Sequence, residues 1–259
     1  MFIDAHTHLS EYKDNLNKAL NQIQTHKIFS LSVSMDVSSY QETKQIAQQS
    51  EFIIPCFGIH PWEAHRFSND VHALSPYIQE SPIIGEVGLD FYFVKERSKH
   101  KAQQKVLEYF FNSASSGSKI LNLHTKGAES EVLALLEEFK LPHSIIHWYS
   151  GPISLIERYL SAGCFFTMGS ALLHSKHIKN ILDAIPDERL LTETDNPGGT
   201  KWMTGHRGYP DQIRRIVQEI GKQKNMTEKE VNSLVENNFA SLISDVPEVR
   251  RKWKALRSE

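Results

Sequence analysis

A chain of 259 residues with 40% hydrophobic and 23% charged residues has the composition of a folded protein with a substantial core, not of a disordered one. Its formal net charge of -2 supplies no global basic field, so any polyanionic substrate has to be gripped locally, by metal ions or a few cationic loops. No segment reaches the roughly 18 apolar residues that cross a bilayer, no basic-then-apolar leader opens the chain, and Cys56 and Cys164 sit in apolar stretches as small core residues. A reducing cytoplasm is the expected location, with no membrane partner.

The first apolar run, Phe2 to Ile3, precedes a segment with Leu16, Leu20 and Ile23 at helical spacing. Strand-like runs follow at Ile28 to Met35, Phe52 to Ile59, Pro82 to Leu89 and Lys119 to His124. Three further stretches complete the series: Ser144 to Tyr149, Cys164 to Gly169 and Arg189 to Thr194 lie beyond the fifth run, making eight runs with the first. Between them, Val106, Tyr109, Phe110 and Ala114 mark a helix stopped at Gly117, and Val132, Leu135, Leu136 and Phe139 mark one ending before Pro142. The basic tail RRKWKALRSE is expected to fray.

Alternating strands and helices imply parallel pairing, because parallel strands need a crossover. Runs with little polar alternation suit strands buried on both faces. Eight such units, at a length near the roughly 250 residues typical of the fold, predict a closed (β/α)₈ TIM barrel. No linker rich in Gly, Ser or Pro interrupts residues 1–259, so one domain is expected. The absence of a glycine-rich G-x-G-x-x-G turn after the first run argues against an open nucleotide-binding sheet.

In such a barrel, reactive groups gather at the C-terminal ends of the strands. Those ends carry Asp4, His6 and His8; His60; Glu86 and Asp90; His124; His147; and Glu193 and Asp195. The other eight histidines fall in helices or loops. His6 and His8, two apart on an extended segment, can point the same way. Imidazole and carboxylate together accommodate Mg²⁺, Mn²⁺ or Zn²⁺ without selecting one. The candidate ligands His6, His8, Glu86, His124, His147 and Asp195 exceed the needs of a single ion and point to two divalent ions. Pairs roughly 3.5 to 4 Å apart are suited to in-line displacement at phosphorus.

The segments FIDAHTHLS, FGIHPW, IGEVGLDF, LNLHTKGA, IIHWYSG and LLTETDNP resemble, in order and spacing, the motifs of the TatD-type metal-dependent deoxyribonucleases, a branch of the amidohydrolase-like barrels. The resemblance spans about Phe2 to Pro210 and continues weakly through ENNFASLI. It implies His6, His8, Glu86 and Asp195 around one ion. Glu86 then bridges to a second ion held also by His124 and His147, and Asp195 manages the proton of the nucleophilic water. Related amidohydrolases often bridge their metals with a carboxylated lysine, so a glutamate at position 86 argues against their amide-hydrolysing branches.

Asp4 is expected to orient His6 or His8 from behind. His60 either touches substrate phosphate or packs beside Trp62, Asp90 braces the loop after the fourth strand, and Glu193 holds an extra ion or supports a ligand. Lys126, Arg207 and Tyr209, on mouth loops, are candidates for phosphate contacts. Lys126 stands where the family commonly has arginine, and TETDNPGGTKW departs from the family after the acidic motif.

The expected function is a metal-dependent phosphodiesterase acting on DNA, a 3′ to 5′ exonuclease on single strands or strand ends, and a monomer. HWYSG and TETDNP are also similar to TatD-like proteins of anti-phage defence clusters, which would imply partner proteins. The alternatives are an ester or amide hydrolase acting on aminoacyl-tRNA and a non-catalytic metal-binding scaffold.

Overall fold

The computed structural model describes residues 1–115, 119–141 and 143–257. Eight strands alternate with helices: β1 (Phe2–Thr7), β2 (Ile28–Val33), β3 (Ile53–Cys56), β4 (Ile83–Gly88), β5 (Ile120–His124), β6 (Ser144–Ile146), β7 (Phe165–Met168) and β8 (Leu190–Thr192). All paired neighbours run parallel, β1 to β3 in one run and β4 to β8 in the other. A bridge between Phe57 and Ile84 joins the two runs. The expected strands all form, and β2 and β4 are buried along their whole length, which is why their sequences show little alternation.

The seam between β8 and β1 closes the barrel. The Asp195 amide donates to the His6 carbonyl (2.9 Å) and the His8 amide donates to the Asn196 carbonyl (2.8 Å). Asp4 takes part from the side: its two carboxylate oxygens accept from the Thr194 amide (2.8 Å) and hydroxyl (2.7 Å). Burial pushes the Asp4 carboxyl up to about 7, against the lowering effect of the Thr194 bonds.

Helices wrap the outside and build one contiguous apolar core with the strands. Asp36 caps the helix Val37–Ala47 in a reciprocal bond pair with Ser39, and Thr227 and Glu230 do the same for Glu228–Leu242. Helices at Arg97–Ser115 and Glu129–Phe139 occupy the expected positions, while their expected stops, Gly117 and Pro142, lie outside the described residues.

As far as Arg257, the C-terminal tail does not fray as its charge suggests. It forms the helix Pro247–Arg257, whose Val249 and Trp253 are buried. The Trp253 ring meets Phe29 and Phe239, each at 5.2 Å between centroids, so a single aromatic anchor outweighs the repulsion among its basic neighbours. Among the described residues no helix is long and apolar enough to cross a membrane.

Replacing Trp253 by Ala should therefore lower stability by about 3–5 kcal/mol in urea unfolding. An unchanged midpoint would show that the tail does not hold the barrel closed.

Candidate metal centre

Glu86 lies on β4 with 1% of its surface exposed, and it turns its two carboxylate oxygens to opposite sides. Oε2 faces His6 Nε2 (3.4 Å) and His8 Nε2 (3.3 Å), with Asp195 Oδ1 beyond at 3.7 and 3.3 Å from the same two nitrogens. Oε1 faces His124 Nδ1 (2.7 Å), His147 Nε2 (2.9 Å) and His60 Nε2 (3.4 Å). The ligand atoms thus fall into overlapping groups that could hold ions, among them His6, His8 and Asp195, and His60, Glu86 and His124.

The local backbone makes this possible. A Cβ on Gly58 would fall 2.2 Å from the Glu86 carbonyl oxygen, so only glycine lets the chain just after β3 pass so close to β4 at Glu86. Gly88 has φ +154°, and a Cβ there would fall 1.9 Å from the His124 carbonyl oxygen. Asp195 adopts φ 49°, a left-handed conformation that aspartate tolerates better than most residues, and this turns its carboxylate back over β1.

Nitrogen orientation tests whether these residues fit a metal. His6 Nδ1 lies 2.8 Å from Asn122 Oδ1, while the Asn122 amide donates to the Ala5 carbonyl. The amide oxygen can only accept, so His6 carries its proton on Nδ1 and aims the Nε2 lone pair into the centre. His124 is fixed from the other side: its Nε2 lies 3.1 Å from Asp90 Oδ2, freeing Nδ1 for the centre. Two imidazole nitrogens, His6 Nε2 and His8 Nε2, face each other at 3.3 Å, as do His124 Nδ1 and His147 Nε2. Facing lone pairs repel unless a cation lies between them, and the neutral-imidazole and carboxylate donor set suits a divalent ion.

In the absence of metal, protons take over part of that role. Burial disfavours the imidazolium of His8, but the bonds to Asp195 and Glu86 outweigh it and push the group up to about 10. His147 is raised well above the usual imidazole range, against burial, by Glu86 and Glu193. Burial would raise Glu86, yet His60, His147 and His6 and the bond from His124 hold it well below the usual carboxylate range. Asp195 is lowered in the same sense, chiefly by His8 and His6 against burial.

The surrounding residues differ from expectation in several places. Asp4 bonds Thr194 and neither imidazole, so Asn122 does the orienting expected of Asp4. Of the two roles expected of His60, the structure shows the packing beside Trp62: its Nδ1 accepts from the Trp62 amide (3.2 Å) and its ring packs on the Trp62 indole. That bond leaves the proton on Nε2, making His60 a donor toward Glu86 and not a lone-pair ligand.

Asp90 receives the Trp62 indole N–H (2.8 Å) and the Tyr92 and Phe93 amides, and is lowered to about 2 chiefly by His124 against burial. Glu193 is buried, accepts from the Trp148 amide through Oε1, and faces His147 Nδ1 at 3.5 Å through Oε2.

The centre floors a cleft of about 700 Å³. Lys126 and Arg207 line it; Lys126 donates to the Ser150 hydroxyl, and Arg207 to the Glu11 and Tyr12 carbonyls. Tyr209 does not line it: its hydroxyl bonds Asn15 and its ring lies under the Lys18 ammonium. Trp148 and Trp202 line the cleft and were not singled out from the sequence, where each reads as one more aromatic. Asn122 was missed too, although a lone amide inside the apolar run ILNLH signals a buried polar group that needs a partner.

The profile of the family described as TatD related DNase matches residues 3–244. The chain belongs to the TatD-related DNase family. Among its relatives, the uncharacterized metal-dependent hydrolase YabD of Bacillus subtilis is 24% identical over 254 residues, covering 93% of this chain and 98% of that protein. The 3′-5′ ssDNA/RNA exonuclease TatD of Edwardsiella piscicida is 30% identical over 148 residues, 54% of this chain and 56% of that one. The crystal structure of the TatD homologue YjjV of Escherichia coli K12 superposes with a TM-score of 0.84 at 19% identity, covering 93% and 97% of the two chains, and shows the shared barrel. As a TatD-related DNase the chain is a hydrolase of phosphodiester bonds that uses divalent metal.

A metal ion can bind only neutral imidazole, and His8 is protonated up to about pH 10 in the metal-free protein. Loading should therefore release protons and tighten with rising pH, by up to about tenfold per unit for each proton displaced. Calorimetric titration in buffers of different ionisation heat measures this. Affinity independent of pH between 6 and 8 would contradict it.

Proposed function

We propose that the chain is a two-metal exonuclease that removes nucleotides from the 3′ end of single-stranded DNA. The observation that carries this reading is the Glu86 carboxylate, which offers one oxygen to His6, His8 and Asp195 and the other to His124 and His147. In this assignment His6, His8 and Asp195 would hold one ion and His124 and His147 the other, with Glu86 shared between them; Mg²⁺, Mn²⁺ and Zn²⁺ all suit the donors. The ions, when bound, supply Lewis acidity toward phosphoryl oxygens and lower the pKa of water.

The chain's own residues do the rest. Asn122 and Asp90 hold His6 and His124 in the required tautomers. Asp195, with 18% of its side chain accessible, is the centre's carboxylate open to the cleft, and its lowered pKa keeps it ionised and able to accept a proton from the attacking water. His60 donates toward the centre through Nε2, and Lys126 and Arg207 stand on the rim within reach of flanking phosphates. The printed activity of the Edwardsiella relative, a 3′-5′ ssDNA/RNA exonuclease, supports the polarity.

The proposal extends to one domain over residues 1–259, a cytoplasmic monomer, with two buried free cysteines in keeping with a reducing compartment. It also extends to an anti-phage role alongside partner proteins, supported by the HWYSG and TETDNP segments that carry Trp148 and Asp195 to the cleft wall.

Metal-loaded protein should shorten 5′-labelled single-stranded DNA stepwise from its 3′ end, and Asp195→Asn should slow this by about 10²- to 10⁴-fold. Turnover of an aminoacyl ester without cleavage of DNA would replace the reading with an acyl hydrolase. Glu86→Gln, in turn, should lower bound metal from about two equivalents, with circular dichroism reporting that the barrel still folds. Unchanged metal content by elemental analysis would refute the bridge.

A further inference from the structure

The largest exposed apolar side chains cluster at the mouth. Trp62 (45% exposed), Phe93 (46%) and Trp202 (65%) all line the cleft above the metal centre. Large exposed aromatics gathered in one place signal a binding surface more than chance does. Their rings form a continuous edge-to-face chain: Trp62 to Phe93 at 5.9 Å, Phe93 to Trp202 at 6.4 Å and 90°, and Trp202 to Trp148 at 6.1 Å. Phe93 follows β4 and Trp202 follows β8, which stand on opposite sides of an eight-stranded barrel, so their contact spans the opening.

We propose that Phe93 and Trp202 form an aromatic arch that takes the unpaired base at the end of a nucleic acid strand and so positions the adjoining phosphate over the metal centre. The proposal rests on the phosphodiesterase reading above and names how that site chooses its substrate. Trp202 is 65% exposed despite these contacts, and any base can stack on an open indole surface irrespective of its identity. The cleft beneath, at about 700 Å³, lies within the roughly 300–1,000 Å³ of small-molecule sites, which is room for a nucleotide or two and not for a duplex.

Charge on the rim fits the same occupant. Lys126 and Lys201 line the cleft around the arch, where the phosphates on either side of a stacked base would lie, while Arg66 on the same rim is paired with Asp36 and Glu63. The arch is also tied mechanically to the centre through one carboxylate. Asp90 accepts the Phe93 amide (2.8 Å) on Oδ1, while its Oδ2 accepts the Trp62 indole N–H (2.8 Å) and faces His124 Nε2 (3.1 Å). The same group therefore sets the height of the stacking surface and the direction of a metal-facing nitrogen. Trp202 sits on the short helix Gly198–Thr204 that follows Asp195.

The test measures binding of a fluorescein-labelled, phosphorothioate-linked oligothymidylate to metal-loaded protein, beside the same strand ending in an abasic 3′ residue. Trp202→Ala and Phe93→Ala should each weaken the dissociation constant for the intact strand by roughly 5- to 150-fold, the range one base–aromatic stack spans, and for the abasic strand by less than about twofold. Metal content and melting temperature of the variants report their integrity.

Equal losses on both strands, wild-type protein that does not distinguish the two ends, or no binding of either strand would each overturn the arch. Base-dependent binding without any cleavage would sink the exonuclease reading while the arch stands. Cleavage by both variants with the wild-type preference for a terminal base would sink the arch while the exonuclease reading stands.

Discussion

A carboxylate with almost no access to water stays ionised only if cationic groups surround it, and Glu86 is such a carboxylate. Its negative charge sets the terms for everything near it. Five imidazoles from four different strands or strand-end loops lie within 3.4 Å of its oxygens, and Asn122 and Asp90 fix the remaining nitrogens of His6 and His124. The His6 and His147 rings also stack at 3.7 Å, so the two halves of the centre share a wall. Removing the carboxylate would leave a set of facing nitrogens with nothing to hold them together.

The barrel serves this constraint by supplying positions that a contiguous segment cannot. Parallel strands put all their C-terminal ends on one face, and the narrowest passages are left to glycine at positions 58 and 88. The tail helix is anchored by Trp253 against Phe29 and Phe239. A rigid floor with mobile-length loops above it lets the loops carry substrate contacts without disturbing the ligand geometry.

Much of this was legible in the sequence, for identifiable reasons. The eight strands show as apolar runs because burial on both faces removes polar alternation, and the histidines and carboxylates of the centre show because they all terminate such runs. What could not be read depends on partners far away in the chain. Asp4 meets Thr194 across 190 positions, and nothing local to FIDAH distinguishes that bond from support of an imidazole. Asn122 is hidden for the same reason, since its partner His6 is 116 positions distant. Tyr209 was misplaced because a loop's composition does not say which way its ring turns, and here it turns outward to Asn15. The fraying expected of the tail came from weighing its charges above one tryptophan.

The seam between β8 and β1 has a further meaning under the proposed ligand assignment. His6 and His8 belong to the first strand and Asp195 follows the last, so an ion held by all three would join segments separated by nearly the whole length of the barrel. A crosslink closing so long a loop restricts the unfolded chain far more than one joining neighbouring strands. The ion would then act as a clasp as well as a reagent. Starvation for metal would loosen the barrel along a single line, next to the cleft, before it disturbed the core.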